Sequence, residues 1–154
     1  MNILLVSDDN DFAYKLKEKL VFLRKDDIIT VADYKEDLPE ADVVLIHDNN
    51  ADTLNLIEKL RVDESLCIIL VANSYDNVIL SAADVGVDDF ILANAPDFEF
   101  VIRIINNMKY RGAKLFANRN FKLLCDEFAG LYRHEFCKPL IDDYKSGTFV
   151  ALTP

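Results

Sequence analysis

Ile3-Leu4-Leu5-Val6-Ser7-Asp8-Asp9-Asn10 is the stretch that decides the fold. Four apolar residues in an unbroken run end abruptly in small and acidic ones. A strand with one wet face alternates apolar and polar residues, so a continuous run predicts a strand buried on both faces. Directly after it, Phe12, Leu16 and Leu20 stand four apart, as on one side of a helix, with Asp9, Asn10 or Asp11 available to cap its start. The same unit then recurs. Ile28-Ile29-Thr30-Val31 is a second run, Val43-Val44-Leu45-Ile46 a third that ends in His47-Asp48-Asn49-Asn50, Cys67-Ile68-Ile69-Leu70-Val71-Ala72 a fourth that ends in Asn73-Ser74, and Phe90-Ile91-Leu92-Ala93 a fifth. Helical stripes fill the gaps: Leu56, Ile57 and Leu60, then Val78, Ile79, Ala82 and Ala83, which stop at Gly86. Strands alternating with helices imply right-handed crossovers, and hence an α/β fold with a doubly wound, five-stranded parallel sheet and helices on both faces. The connection from Val31 to Asp42 is the weak repeat, because it is short and contains Pro39; one or two helical turns are the most it can hold.

From Asp97 the pattern changes. Phe98, Val101, Ile102, Ile105 and Met108 read as one apolar face, and no proline intervenes before Pro139. A long helix is expected from Asp97 past Tyr110 to about Asn118, with Gly112 costing it about 1 kcal/mol without ending it. A helix longer than the domain needs, with apolar residues at helical spacing, favours a homodimer through Phe98, Val101, Ile105 and Met108, with the part around Lys109 to Ala117 contributing. The 154 residues suit one domain of ordinary size plus a remainder, with 51% apolar and 29% charged residues. Seventeen basic against 27 acidic residues leave a net charge of −10, which repels nucleic-acid backbones and anionic lipid. No apolar run is long enough to cross a bilayer, and the N-terminus lacks the basic flank of a signal peptide. Cys67, Cys125 and Cys137 are odd in number and lack metal-site spacing, so free thiols in a reducing cytoplasm are expected.

In a doubly wound sheet, ligands bind beyond the carboxyl ends of the strands. Those ends carry Ser7-Asp8-Asp9, His47-Asp48, Asn73-Ser74 and Asn94. Carboxylates gathered there suit Mg²⁺, which prefers hard oxygen ligands, and equally serve as solvated loop and capping groups. With these residues in order, the chain over residues 1–118 resembles the receiver domain of two-component response regulators. Ile3 to Asp9 resembles the family's first strand and acidic pair, and Asp42 to His47 the strand that delivers the phosphoacceptor aspartate. Cys67 to Ala72 resembles the fourth strand with its hydroxyl residue, and Gly86-Val87-Asp88-Asp89-Phe90-Ile91-Leu92-Ala93 the stretch leading to the family's lysine.

The resemblance implies five roles: two acids for Mg²⁺, an acceptor aspartate, a hydroxyl that holds a phosphoryl oxygen, and a lysine. Position by position these fall on Ser7, Asp8, His47, Val71 and Ala93, and only Asp8 keeps its chemistry. Val71 cannot donate to a phosphoryl oxygen, and Ala93 leaves the phosphoryl charge without its cation. Ser7 and His47 deprive Mg²⁺ of carboxylates. The family's reporting aromatic falls on Phe90. In the alternative register Asp48 takes the acceptor place, Asp8 and Asp9 join it as the metal set, and Ser74 supplies the hydroxyl, still with no lysine because Asn94 is uncharged.

Residues 119–154 read as a linker helix followed by the start of an output domain, or as a C-terminal extension. Asp126-Glu127-Phe128-Ala129-Gly130-Leu131-Tyr132 resembles the opening of a GGDEF diguanylate cyclase domain, with Phe136 and Leu140 on its first helix and Gly147 to Leu152 as its first strand. The expected function is an atypical receiver domain, cytoplasmic, in two-component or cyclic-di-GMP signalling. It acts by protein contact, has no cofactor and is not itself an enzyme, and its partners are an output domain and a histidine kinase. One alternative is a Mg²⁺-dependent phosphoacceptor using Asp48. Another is a small flavodoxin-like ligand-binding module, against which the first loop lacks a glycine-rich phosphate cradle.

Overall fold

The structure, a computed structural model, describes residues 1–34 and 38–124, and side chains as far as Ala117. Along the chain run β1 (Asn2–Val6), α1 (Asn10–Leu23), β2 (Ile28–Ala32), β3 (Val43–His47), α2 (Thr53–Leu60), β4 (Cys67–Ala72), α3 (Asn77–Val85), β5 (Asp89–Leu92) and α4 (Asp97–Leu124). All strands pair in parallel in the order β2-β1-β3-β4-β5. The order reverses beside β1, so the crevice of this doubly wound sheet opens beyond the ends of β1 and β3.

Every residue of β3 and β4 is buried, and so is β1 after Asn2, as their continuous apolar runs require. Strand alternation divides them between two cores. One face carries Ile3, Leu5, Val43, Leu45, Ile69 and Val71 against α1 (Ala13, Leu16, Leu20) and α4 (Phe100, Ile104). The other carries Leu4, Val6, Val44, Ile46, Ile68 and Leu70 against α2 (Ile57) and α3 (Ala82). Asp9 is the N-cap of α1, its carboxylate accepting from the Phe12 N–H at 3.0 Å. Gly86 ends α3 at φ +115°, a left-handed turn that a residue with a Cβ rarely adopts.

No helix occurs among the described residues between β2 and β3; Leu38 and Ala41 of that connection pack onto the second core directly. Phe98, Val101, Ile102, Ile105 and Met108 do lie on one side of α4, but that side is not the one that the sheet buries most deeply. Phe100 and Ile104 are the buried residues, with Val101 and Met108 packed beside them, while Phe98 is 62% and Ile102 50% exposed. Apolar residues occupy more than one side of α4, so periodicity alone could not orient it. Ion pairs and a hydrogen bond do: Arg103 pairs with the Asp89 carboxylate at 2.9 Å, the Asn107 amide donates to it at 2.8 Å, and Arg111 pairs with Asp88 at 2.5 Å.

The chain divides into compact units at 1–112 and 113–154. The GGDEF-like stretch Asp126 to Leu152, with Cys125 and Cys137, lies outside the described residues. No helix among the described residues is long and apolar enough to cross a membrane.

Candidate functional site at the strand ends

The last residue of β3 faces the α1 core, because Val43, Leu45 and His47 share one side of the strand. His47 therefore points into the crevice beside Ser7 and is 3% exposed, against 1% for Ser7. Its Nδ1 lies 2.9 Å from Ser7 Oγ and its Nε2 lies 3.0 Å from Asn73 Oδ1. The imidazole also stacks on Phe12, with ring centroids 4.1 Å apart.

Neighbouring bonds fix the proton on this ring. The Asn73 amide N–H donates to the Asp48 carbonyl at 2.7 Å, so its oxygen is the atom that faces Nε2. An amide oxygen only accepts, so Nε2 must carry the hydrogen. On the other side of the ring Nδ1 shares its hydrogen bond with Ser7 Oγ, which also accepts from the Asp9 N–H at 3.0 Å. Each polar atom at the centre has a partner.

The ends of β4 and β5 present hydrocarbon. Val71 is opposite His47 in the sheet register and fully buried. The Ala93 N–H donates to the Ala72 carbonyl at 2.8 Å, and its methyl packs on the core that contains Val71. Neither side chain can meet a phosphoryl oxygen.

The acids lie around this centre, each tied to something else. Asp8 accepts from the Asn50 side-chain amide and from the Tyr34 N–H at 3.4 Å, joining three loops. The Asp9 carboxylate is the α1 cap. Asp48 follows His47 and bonds to Thr53; burial first, and then the nearby Asp76 charge, raise its pKa above the ordinary carboxylate value, against the pull of His47 and Thr53. Ser74 Oγ donates to Asp76 at 3.0 Å. Tyr34 spans the gap between loops, donating to the His47 carbonyl with its hydroxyl 2.9 Å from Thr53 Oγ1, and burial pushes its pKa to about 12.

Among the described residues no group of three or more His, Cys, Asp or Glu side chains could hold a metal ion, and of the acids at the strand ends Asp9 is engaged as the α1 cap. Of the residues at these positions, Ser7 is bonded to His47, Val71 is its partner in the sheet register, and Ala93 packs on the core cluster that contains Val71. The structure adds Phe12, Tyr34, Thr53 and Asn73, which position-by-position reading passed over. Asn73 was visible as a polar residue at a strand end, but nothing in the sequence pairs it with His47. Of the helix residues, Val101 and Met108 are taken up by the core, Ile105 is half-buried and Phe98 is exposed.

No protein-family model matches this chain. No curated protein matches it. Solved structures do. The response regulator DrrB of Thermotoga maritima, an OmpR/PhoB homolog, is 19% identical with a TM-score of 0.61, covering 71% of this chain and 52% of its own. An atypical orphan response regulator, described as having a phosphorylation-independent regulatory mechanism, is 18% identical with a TM-score of 0.59, covering 71% and 97%. The signal receiver domain of a modulated diguanylate cyclase from Desulfovibrio desulfuricans G20 is 17% identical with a TM-score of 0.61, covering 73% and 97%. Identities this low establish the fold, and the fold is that of response regulator receiver domains.

Proposed function

We propose that this chain is an atypical receiver domain that works by protein contact and not by aspartyl phosphorylation, in cytoplasmic two-component or cyclic-di-GMP signalling. The observation that carries this reading is His47 in the acceptor place, with both ring nitrogens bonded and one face stacked on Phe12. An acceptor must be open to a phosphodonor, flanked by a metal and met by a cation, and none of these conditions suits a ring held in this way. The absence of a metal cluster among the described residues supports the same reading, and weighs against Asp48 as a Mg²⁺-dependent acceptor. The likeness to an orphan regulator described as phosphorylation-independent, and to the receiver of a diguanylate cyclase, supports the signalling context.

On this reading the domain is not an enzyme and uses no cofactor. Residues 1–118 are the receiver-like body, and residues 119–154 lead into an output domain of GGDEF type or form an extension. Its partners are proteins: the output domain, a histidine kinase and a second copy of itself. Intact-mass measurement after incubation with acetyl phosphate and Mg²⁺ tests the central point. The expected result is an unmodified chain. A phosphorylated species that vanishes in Asp48→Asn would replace this reading with the Asp48 acceptor.

A further inference from the structure

The two edges of the sheet are guarded unequally. At one edge, β5 opens with Asp89, whose carboxylate holds Arg103 at 2.9 Å and Asn107 at 2.8 Å. Charge on an edge strand is one of the means that keep it from pairing with another chain. At the other edge β2 carries none. Ile28-Ile29-Thr30-Val31-Ala32 holds four β-branched residues in a row, without proline, and pairs with β1 residue for residue without a bulge. The Ile28 N–H donates to the Met1 carbonyl at 2.9 Å, and the Ala32 carbonyl accepts from the Ser7 N–H at 3.1 Å. Alternate residues of a parallel strand bond to the same side, so Ile28, Thr30 and Ala32 serve β1. The N–H and C=O groups of Ile29 and Val31 therefore point outward. Among the described residues no strand lies on that side.

The surroundings define what suits this edge. The connection from β2 to β3 has no helix among the described residues. On that face a cavity of about 220 Å³ lies between Leu4, Ile28 and Thr30 of the strands and the segment Pro39-Glu40-Ala41. Ile28, which lines it, is 65% exposed. Side chains of an added strand that point to the same face as Ile28 and Thr30 have room there. Between Arg24 and Asp42 the sequence carries seven acidic residues against three basic ones, and Arg24 is already paired with Asp27. Asp26 and Glu40 are exposed, the first just before the strand and the second at the cavity. A second copy would bring a second acidic region to this edge and be repelled, whereas a basic segment is attracted.

We propose that the outer edge of β2 takes an extended segment of a partner protein as a sixth strand. The segment carries β-branched or apolar residues at alternate positions, and Lys or Arg at the end that lies beside Asp26 and Glu40. Its main chain bonds to Ile29 and Val31, and its side chains in the cavity and at the two acids set the specificity. The inference rests on the protein-contact part of the function proposed above and gives that contact a place.

A displayed library of random peptides about ten residues long, selected on the full chain, supplies the probe, and ¹H–¹⁵N titration with a synthetic copy of the enriched sequence tests it. Enriched sequences are expected to alternate β-branched residues and to carry Lys or Arg, and the copy to shift the Ile29 and Val31 amides saturably. Val31→Pro removes an outward N–H and leaves the bonds to β1 in place. It is expected to weaken binding about 10-fold, as is the double variant Asp26→Lys, Glu40→Lys. The same peptide N-methylated at alternate residues keeps its charge and side chains but cannot form the ladder. It is expected not to bind, which tests the proposal on the unaltered protein if a variant fails to fold. No enrichment, enrichment of acidic sequences, an N-methylated peptide that binds as tightly, or shifts centred on another element would overturn the proposal. So would a dimer of the wild type that Val31→Pro dissociates, since the edge would then belong to a second copy. A chain that stays unmodified by acetyl phosphate yet selects no peptide loses this inference and keeps the reading of the acceptor place, so the two fail separately.

Discussion

The two ends of the sheet solve the same problem by opposite means. Beyond the carboxyl ends of the strands, loops are joined by a group without a fixed ion pair: Ser7, His47 and Asn73, with Phe12 stacked on the imidazole. At the amino ends they are joined by charge. The Asp88 carboxylate receives Arg61 at 2.9 Å, Arg111 at 2.5 Å and the Ile68 N–H at 2.8 Å, and Arg111 also donates to the Ser65 and Glu64 carbonyls. In a receiver that runs phosphoryl chemistry, the charged end would be the carboxyl end. Here the carboxyl end is held by neutral hydrogen bonds and a stacked ring, and the fixed charges of the amino end clamp α4. On the function proposed above, the contrast explains how the fold can do without phosphoryl chemistry, since the bonds that join the loops of the crevice include neither a metal nor a phosphoryl group.

The largest effect is expected at the charged end. Asp88→Ala leaves two guanidinium groups and a backbone N–H facing a space without an acceptor. Breaking a buried pair costs about 3–5 kcal/mol, and the partial exposure of these side chains places the expected loss near the lower figure. Urea denaturation at neutral pH measures it. A loss below that of the next variant would break the comparison.

At the neutral end, Asn73→Ala removes one acceptor from His47 and one donor from the Asp48 carbonyl, with water able to replace part of each. About 1–2 kcal/mol is expected by the same measurement. Gly112→Ala tests the helix that the clamp holds. With open space around its Cβ it should stabilise the protein by about 1 kcal/mol, seen as a raised thermal midpoint.

The smallest effect concerns acid, and sharpens the claim about where charge matters. The Arg24 hydrogen bond, 2.5 Å long, lowers the Asp27 pKa, with the N-terminal ammonium helping against burial. A carboxylate with a depressed folded pKa contributes stability above its ordinary pKa, and that contribution is lost as pH falls through the folded value. Stability should therefore fall on acidification below about pH 4, less steeply in Arg24→Ala. Parallel slopes for the two proteins would show that the pair does not contribute.

Much of this was legible in the sequence, for reasons specific to each element. Cys67 to Ala72 is apolar without a break, and only a strand covered on both faces buries every residue of such a run. Asp9 before Phe12 and Gly86 after Val85 marked helix ends through local chemistry. The face of α4 was not legible, because apolar residues surround it and its rotation is set by Asp88 and Asp89 from another part of the chain. At the site, the residue at each strand end could be read one position at a time. Their bonding could not, since Ser7, His47 and Asn73 come from three strand ends and meet only in the folded sheet.

The central claim is that the crevice at the strand ends is closed to metal and phosphoryl ligands. Its most direct test is the amide ¹H–¹⁵N spectrum of the full chain with and without Mg²⁺ and beryllofluoride, a phosphoryl mimic. The account predicts unchanged resonances for Ser7, Asp8, His47, Asp48, Val71 and Ala93. Saturable shifts centred on His47 or Asp48 would contradict it.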